Sequence, residues 1–172
     1  GRVSEAPPIW IQRAGDAVDR TQREDKRHIA LEDLTIEELY EEFEDLPDWD
    51  ERCDYLIDLG FNLPKLPDEA KIEDNRVHGC QSNVWLVANV KDSDPPVVEF
   101  LANSDAVIVN GLIAVVIALY SGKTPQEIIS VDAKEAFGKL GLERYLSSQR
   151  RNGLYGMVDR VRQLAIQAEA ES

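Results

Sequence analysis

The stretch VWLVANVKDSDPPVVEFL, residues 84–101, decides the fold. Val84, Leu86 and Ala88 fall on one face of its first half and Trp85 and Val87 on the other, which is the two-residue period of a strand. Lys91 to Pro96 supplies turn residues, and Val97 to Leu101 reads as the returning strand, so a β-hairpin is predicted. A third strand is expected from Lys71 to Glu73.

Helical signals surround this hairpin. Upstream, Thr35 and Glu38 form a capping-box pattern ahead of Leu39, Phe43 and Leu46, and Pro47 stops that helix. Asp48 with Glu51 opens a second helix that carries Cys53, Leu56 and Ile57 and ends at Gly60. These two helices are predicted to pack as a hairpin. Downstream, Ser104 or Asp105 is placed to cap an apolar helix running to Ser121-Gly122. Thr124, Pro125 and Glu127 make another start, and Asp132 caps a short helix reaching Leu140. The last segment carries Leu154, Met157, Val158, Val161, Leu164 and Ala165 at helical spacing. The resulting class is α+β, a small three-stranded antiparallel sheet flanked by helices on both sides, without internal repeats.

The chain has 172 residues, enough for one domain with its own core and a tail. Residues 1–33, with Gly1, Pro7-Pro8 and mixed charges, are predicted to be a mobile acidic to mixed-charge N-terminal extension, and residues 34–172 the folded domain. Nineteen Lys and Arg against 33 Asp and Glu give a net charge of −14. Such a surface repels phosphate backbones and argues against a nucleic-acid partner. The most apolar stretch, Ala106 to Tyr120, is shorter than a bilayer span and is interrupted by Asn110 and Gly111, so no membrane association is expected. The start has no basic flank followed by a long apolar run, so it does not read as a signal peptide, and its Asp and Glu argue against a transit peptide. Two cysteines are too few for a disulfide framework, which points to a reducing compartment and a cytoplasmic location.

Chemistry concentrates at Val77-His78-Gly79-Cys80-Gln81-Ser82, in the connection just ahead of the hairpin. Gly79 removes side-chain bulk beside the thiol and permits unusual backbone angles. Local sequence leaves Cys80 open between a reactive, presentable thiol and an inert buried one. Cys53 shares a helix face with Trp49, Leu56 and Ile57 and is expected to fill core space. His78 invites a metal reading, yet zinc needs about four ligands and the chain holds two Cys and two His, so no metal is expected. Ser121-Gly122-Lys123-Thr124 imitates the end of a phosphate-binding loop, but the glycine required upstream is Ile117, so a helix–helix turn is predicted. Gln149-Arg150-Arg151 is a basic island in an acidic chain.

Gly79-Cys80-Gln81-Ser82 with Val84-Trp85, then Ser104-Asp105-Ala106, Gly111-Leu112-Ile113-Ala114-Val115-Val116, Leu119-Tyr120, Thr124-Pro125-Gln126 and Gly153-Leu154 follow one another in an order that resembles the SufE family, including its CsdE branch. The similarity spans about Leu34 to Ala168. It implies an α+β fold related to IscU-type scaffolds, with Cys80 as the persulfide-forming nucleophile that accepts sulfur from a cysteine desulfurase of the SufS or CsdA kind. It also implies that the domain stimulates the desulfurase and passes sulfur to iron–sulfur cluster assembly, through a SufBCD-like scaffold or another recipient. Pyridoxal phosphate belongs to the partner, and no cofactor is expected here. Asp105 and Arg150 match polar positions that the family keeps near the cysteine loop. His78, Gly79 and Gln81 are supporting candidates, although His78 stands where other members have Gln. Such a domain is a transpersulfuration partner rather than a stand-alone enzyme. The alternatives are an IscU-like iron–sulfur scaffold, which would use three cysteines, and a non-covalent activator of the desulfurase.

Overall fold

Strands β1 (Val84–Lys91) and β2 (Val97–Ser104) pair antiparallel, with Val84 opposite Ser104 and Lys91 opposite Val97, in a computed structural model that describes residues 34–79 and 81–171. The predicted extension over residues 1–33, and Cys80 itself, lie outside the described residues. The alternation of apolar residues does what its period requires. Val84, Leu86, Val98, Phe100 and Ala102 enter the main core, while Trp85 and Val87 turn to a smaller cluster with Leu66, Leu101 and Ala70.

The third strand does not form among the described residues, where the sheet has two strands. Residues 71–73 instead link two short 3-10 turns, Asp68–Ala70 and Glu73–Asn75. Their backbone donors are satisfied locally, Ala70 by Pro67, Lys71 by Asp68 and Arg76 by Glu73, which removes the need for a ladder. Arg76, just after these turns, meets the outer edge of β1 as an isolated bridge to Trp85. These turns also cover the smaller face of the sheet, where helices were expected. Buried Asn103 fastens that cover: its Oδ1 accepts from the Leu66 N–H at 2.6 Å and its Nδ2 donates to the Pro64 carbonyl at 3.0 Å.

Seven α-helices complete the described part. Helix α1 (Ile36–Glu44) starts on the expected capping box of Thr35 and Glu38. Helix α2 (Trp49–Phe61) follows Asp48, whose side chain makes no cap bond. Arg52 ties this pair together, donating to the carbonyls of Leu46 (2.7 Å), Phe43 (2.9 Å) and Leu140 (3.2 Å). Helix α3 (Val107–Tyr120) is apolar on nearly all sides and is therefore the central element, with nine buried residues. Neither Ser104 nor Asp105 caps it; the N-cap is Ala106. Ser104 and Asn110 exchange two hydrogen bonds, of 2.8 and 3.0 Å, that close this corner.

Helices α4 (Pro125–Ser130), α5 (Ala133–Lys139) and α6 (Leu142–Tyr145) lead to the long α7 (Ser148–Glu171). The Thr124–Glu127 capping box and the Asp132 cap form as the sequence predicts. The turn at residues 121–123 also borders β2: the Gly122 N–H donates to the Val98 carbonyl and the Val98 N–H to the Lys123 carbonyl, both at 2.8 Å. Along α7, Leu154, Met157, Val158, Val161 and Ala165 face the core and Leu164 packs at its edge. Each fully buried Leu, Val or Met contributes about 1.5–3 kcal/mol, so this stripe fixes α7 against the sheet and α3. No helix among the described residues is long and apolar enough to cross a membrane.

Candidate functional site

Val77 and Val84 mark the base of the connection that carries the Gly79-Cys80-Gln81 segment. The Val77 N–H donates to the Val84 carbonyl at 2.9 Å, and Val77 is buried. The incoming arm is held by α7 at two successive turns. At Gly156, a Cβ would stand 3.0 Å from the His78 carbonyl oxygen, so the missing side chain admits the arm against the helix. One turn later, Arg160 Nη2 donates to the Asp74 carbonyl at 2.9 Å. Gly79 then adopts φ +95, a conformation L-residues rarely take, with open space where a Cβ would be.

The outgoing arm is held by Asp105. Its Oδ1 accepts from the Asn83 backbone N–H at 3.1 Å and its Oδ2 from the Asn83 amide at 2.9 Å. The Asp105 N–H returns a bond to the Asn83 carbonyl at 3.3 Å. Asp105 therefore positions the residues after Cys80 instead of starting α3.

Gln81 and Ser82 border a pocket of about 120 Å³. Val109 and Leu112 from α3 and Leu154 and Met157 from α7 form its apolar walls, and Ser147, Gln149 and Arg150 its polar rim. Ser147 sits just ahead of α7, and its Oγ accepts from the Arg150 N–H at 3.2 Å. Among the described residues the Arg150 guanidinium has no hydrogen-bond or ion-pair partner, so its charge is available at the pocket mouth. An uncommitted guanidinium over an apolar recess suits an anionic, weakly hydrated group such as a thiolate.

The predicted residues thus divide. Gln81 and Arg150 share the pocket, and Asp105 grips the neighbouring Asn83. Gly79 shapes the turn. His78 lies apart: it is exposed and its Nε2 is 3.3 Å from a Glu73 carboxylate oxygen. Cys53 is a half-buried free thiol rather than a core residue. Burial pushes its pKa up, Asp50 and Asp54 push the same way, and Arg150 opposes them. That environment keeps Cys53 protonated and poorly nucleophilic. Among the described residues no three His, Cys, Asp or Glu side chains converge as metal ligands.

Sequence reasoning missed Gly156, Arg160 and the pocket wall. One signal was present, since a glycine within a helical pattern lowers helix propensity and asks for a packing reason.

Residues 37–165 match the SufE family, described as an Fe-S metabolism associated domain. An uncharacterized SufE-like protein of Rhizobium meliloti (strain 1021) is 43% identical over 129 residues, covering 74% of this chain and 92% of its own. An uncharacterized SufE-like protein of Rhizobium etli is 46% identical over 132 residues, covering 76% and 89%.

Proposed function

The chain belongs to the SufE family of Fe–S metabolism associated domains, and on that premise we propose that it is a sulfur carrier whose acceptor is Cys80. A cysteine desulfurase, using its own pyridoxal phosphate, presents a persulfide R–S–S–H. The Cys80 thiolate attacks the outer sulfur, the new bond forms between Cys80 Sγ and that sulfur, and the donor S–S bond breaks. The donor cysteine leaves as a thiolate and Cys80 holds –S–S–H, so atoms, charge and electrons balance as in thiol–disulfide exchange. Clearing the donor cysteine frees the desulfurase for its next turnover, which is how the carrier stimulates it. Cys80 then passes the sulfur to the cluster-assembly machinery, a SufBCD-like scaffold, in the reducing cytoplasm.

The observation that carries this reading is the pocket shared by Gln81, Ser82 and Arg150. Gln81 and Ser82 directly follow Cys80 in the chain, and Arg150 contributes a positive charge, unpaired among the described residues, beside apolar walls. A cation near the thiol raises the thiolate fraction, and an apolar recess limits access of water-borne reductants. The elevated pKa of Cys53 leaves that thiol a poor rival.

Desulfurase turnover measured with excess cysteine tests the carrier role. Wild-type protein is expected to raise turnover and Cys80→Ser to abolish the increase. Stimulation retained by Cys80→Ser would make the protein a non-covalent activator instead.

A further inference from the structure

Helix α7 lines one side of the pocket and also grips the arm that enters the site. Gly153, Leu154 and Met157 line the pocket, Gly156 receives the His78 carbonyl, and Arg160 reaches the Asp74 carbonyl. These contacts lie on consecutive turns of one helix. A rigid helix that touches both pocket and arm fixes the distance between them.

Arg160 is the polar part of that grip. It is half-buried, and its Nε is enclosed without a hydrogen-bond partner among the described residues. Enclosing a guanidinium N–H without a partner is unfavourable, so the side chain is held there by what Nη2 does. It bonds to Asp74, in the 3-10 turn Glu73–Asn75. The next residues are Arg76, which bridges to Trp85, and Val77, which bonds to Val84. Arg160 therefore secures the part of the incoming arm that β1 does not hold.

We propose that Arg160 is a positioning residue for sulfur acceptance: its bond to the Asp74 carbonyl sets the arm that delivers residue 80 relative to the pocket on α7. The inference rests on the carrier reading for its functional consequence, whereas the positioning itself is measurable without a desulfurase. Arg160 acts through the arm and touches neither donor nor acceptor sulfur.

Arg160→Met keeps the aliphatic packing and removes the donor, and Arg160→Lys keeps one charged donor. Two measurements are needed, amide hydrogen exchange of the protein alone and the single-turnover rate of sulfur acceptance from a persulfidated desulfurase. Losing one charge-assisted hydrogen bond is expected to quicken exchange at Asn75, whose N–H bonds to the Ile72 carbonyl within the turn that Arg160 holds, about fivefold to tenfold, with exchange in α3 unchanged. Sulfur acceptance by Arg160→Met is expected to slow by a similar factor, and Arg160→Lys to recover part of both effects. Wild-type exchange at Asn75 in Arg160→Met would overturn the proposal. So would equal acceleration throughout α3, which would make Arg160 a general stability residue, or acceptance at the wild-type rate. Failure of wild-type protein to accept any sulfur would instead sink the carrier reading and leave the exchange result standing.

Discussion

Gly111 lies directly on the backbone of Leu56: a Cβ built on Gly111 would stand 2.4 Å from the Leu56 carbonyl oxygen. Gly60 repeats the contact from the other side, where a Cβ would be 2.7 Å from the Gly111 nitrogen. Helices α2 and α3 therefore meet backbone to backbone, and α3 carries Val109 and Leu112 into the pocket. The crossing sets the depth at which the pocket wall sits.

Gly111→Ala should accordingly be costly. Rigid backbone cannot yield as a flexible side chain does, so overpacking of about 2–3 kcal/mol outweighs the helix-propensity gain of about 1 kcal/mol. For a domain of this size the net loss lowers the melting temperature by roughly 3–8 °C. Gly138 is the control: it lies in α5, and a Cβ there would meet nothing within 4 Å. Gly138→Ala is expected to be neutral or stabilising by up to about 1 kcal/mol. Urea unfolding of both variants checks the contrast.

Asp105→Ala should loosen the outgoing arm without disturbing α3, because Asp105 holds Asn83 and does not cap the helix. Bonds to a charged but exposed carboxylate are worth about 1 kcal/mol in sum once solvent screening is allowed for. Exchange of the Asn83 amide should therefore rise about fivefold, while thermal stability falls only slightly. An unchanged Asn83 amide would show that the carboxylate does not hold the arm.

Alkaline pH should unfold the protein through tyrosines whose hydroxyls are buried. Burial pushes Tyr120 up to about 12, against the opposing charge of Arg162. Tyr155 is pushed up to about 12 by burial and then by neighbouring Glu143, and burial drives Tyr55 higher still. An unfolded tyrosine ionises near pH 10. Between about pH 10 and 12 the unfolded chain thus binds fewer protons than the folded one, and stability falls as pH rises. Below about pH 10 the contribution is complete. Tyr120 also buries a hydroxyl that has no partner among the described residues. Tyr120→Phe is expected to match or exceed wild-type stability at pH 7 and to lose less on going to pH 11, as read by urea unfolding at each pH.

Local signals were legible in the sequence, and distant ones were not. The capping boxes at Thr35–Glu38 and Thr124–Glu127 involve residues three apart, so the pattern and the bond are the same object. The alternation of Val84 and Leu86 against Trp85 and Val87 carried the sheet face for the same reason. Residues 71–73 misled because a three-residue alternation cannot outweigh the turn bonds made by Pro67, Asp68 and Glu73. Asp105 looked like a helix cap, but Asn83, 22 residues away, is its partner. Arg160 carried no signal in the sequence, since its acceptor lies 86 residues earlier. Arg150 stood out only as part of a basic island and was tied to the site by resemblance; the pocket it borders is assembled from three separate segments.

Sulfur carriage on Cys80 is tested most directly by intact-mass measurement of the protein after incubation with a cysteine desulfurase and cysteine, without reductant. Wild-type protein should gain the mass of one sulfur atom, the gain should disappear on treatment with dithiothreitol, and Cys80→Ser should gain none while Cys53→Ser gains as much as wild type. Equal sulfur uptake by Cys80→Ser would contradict that role.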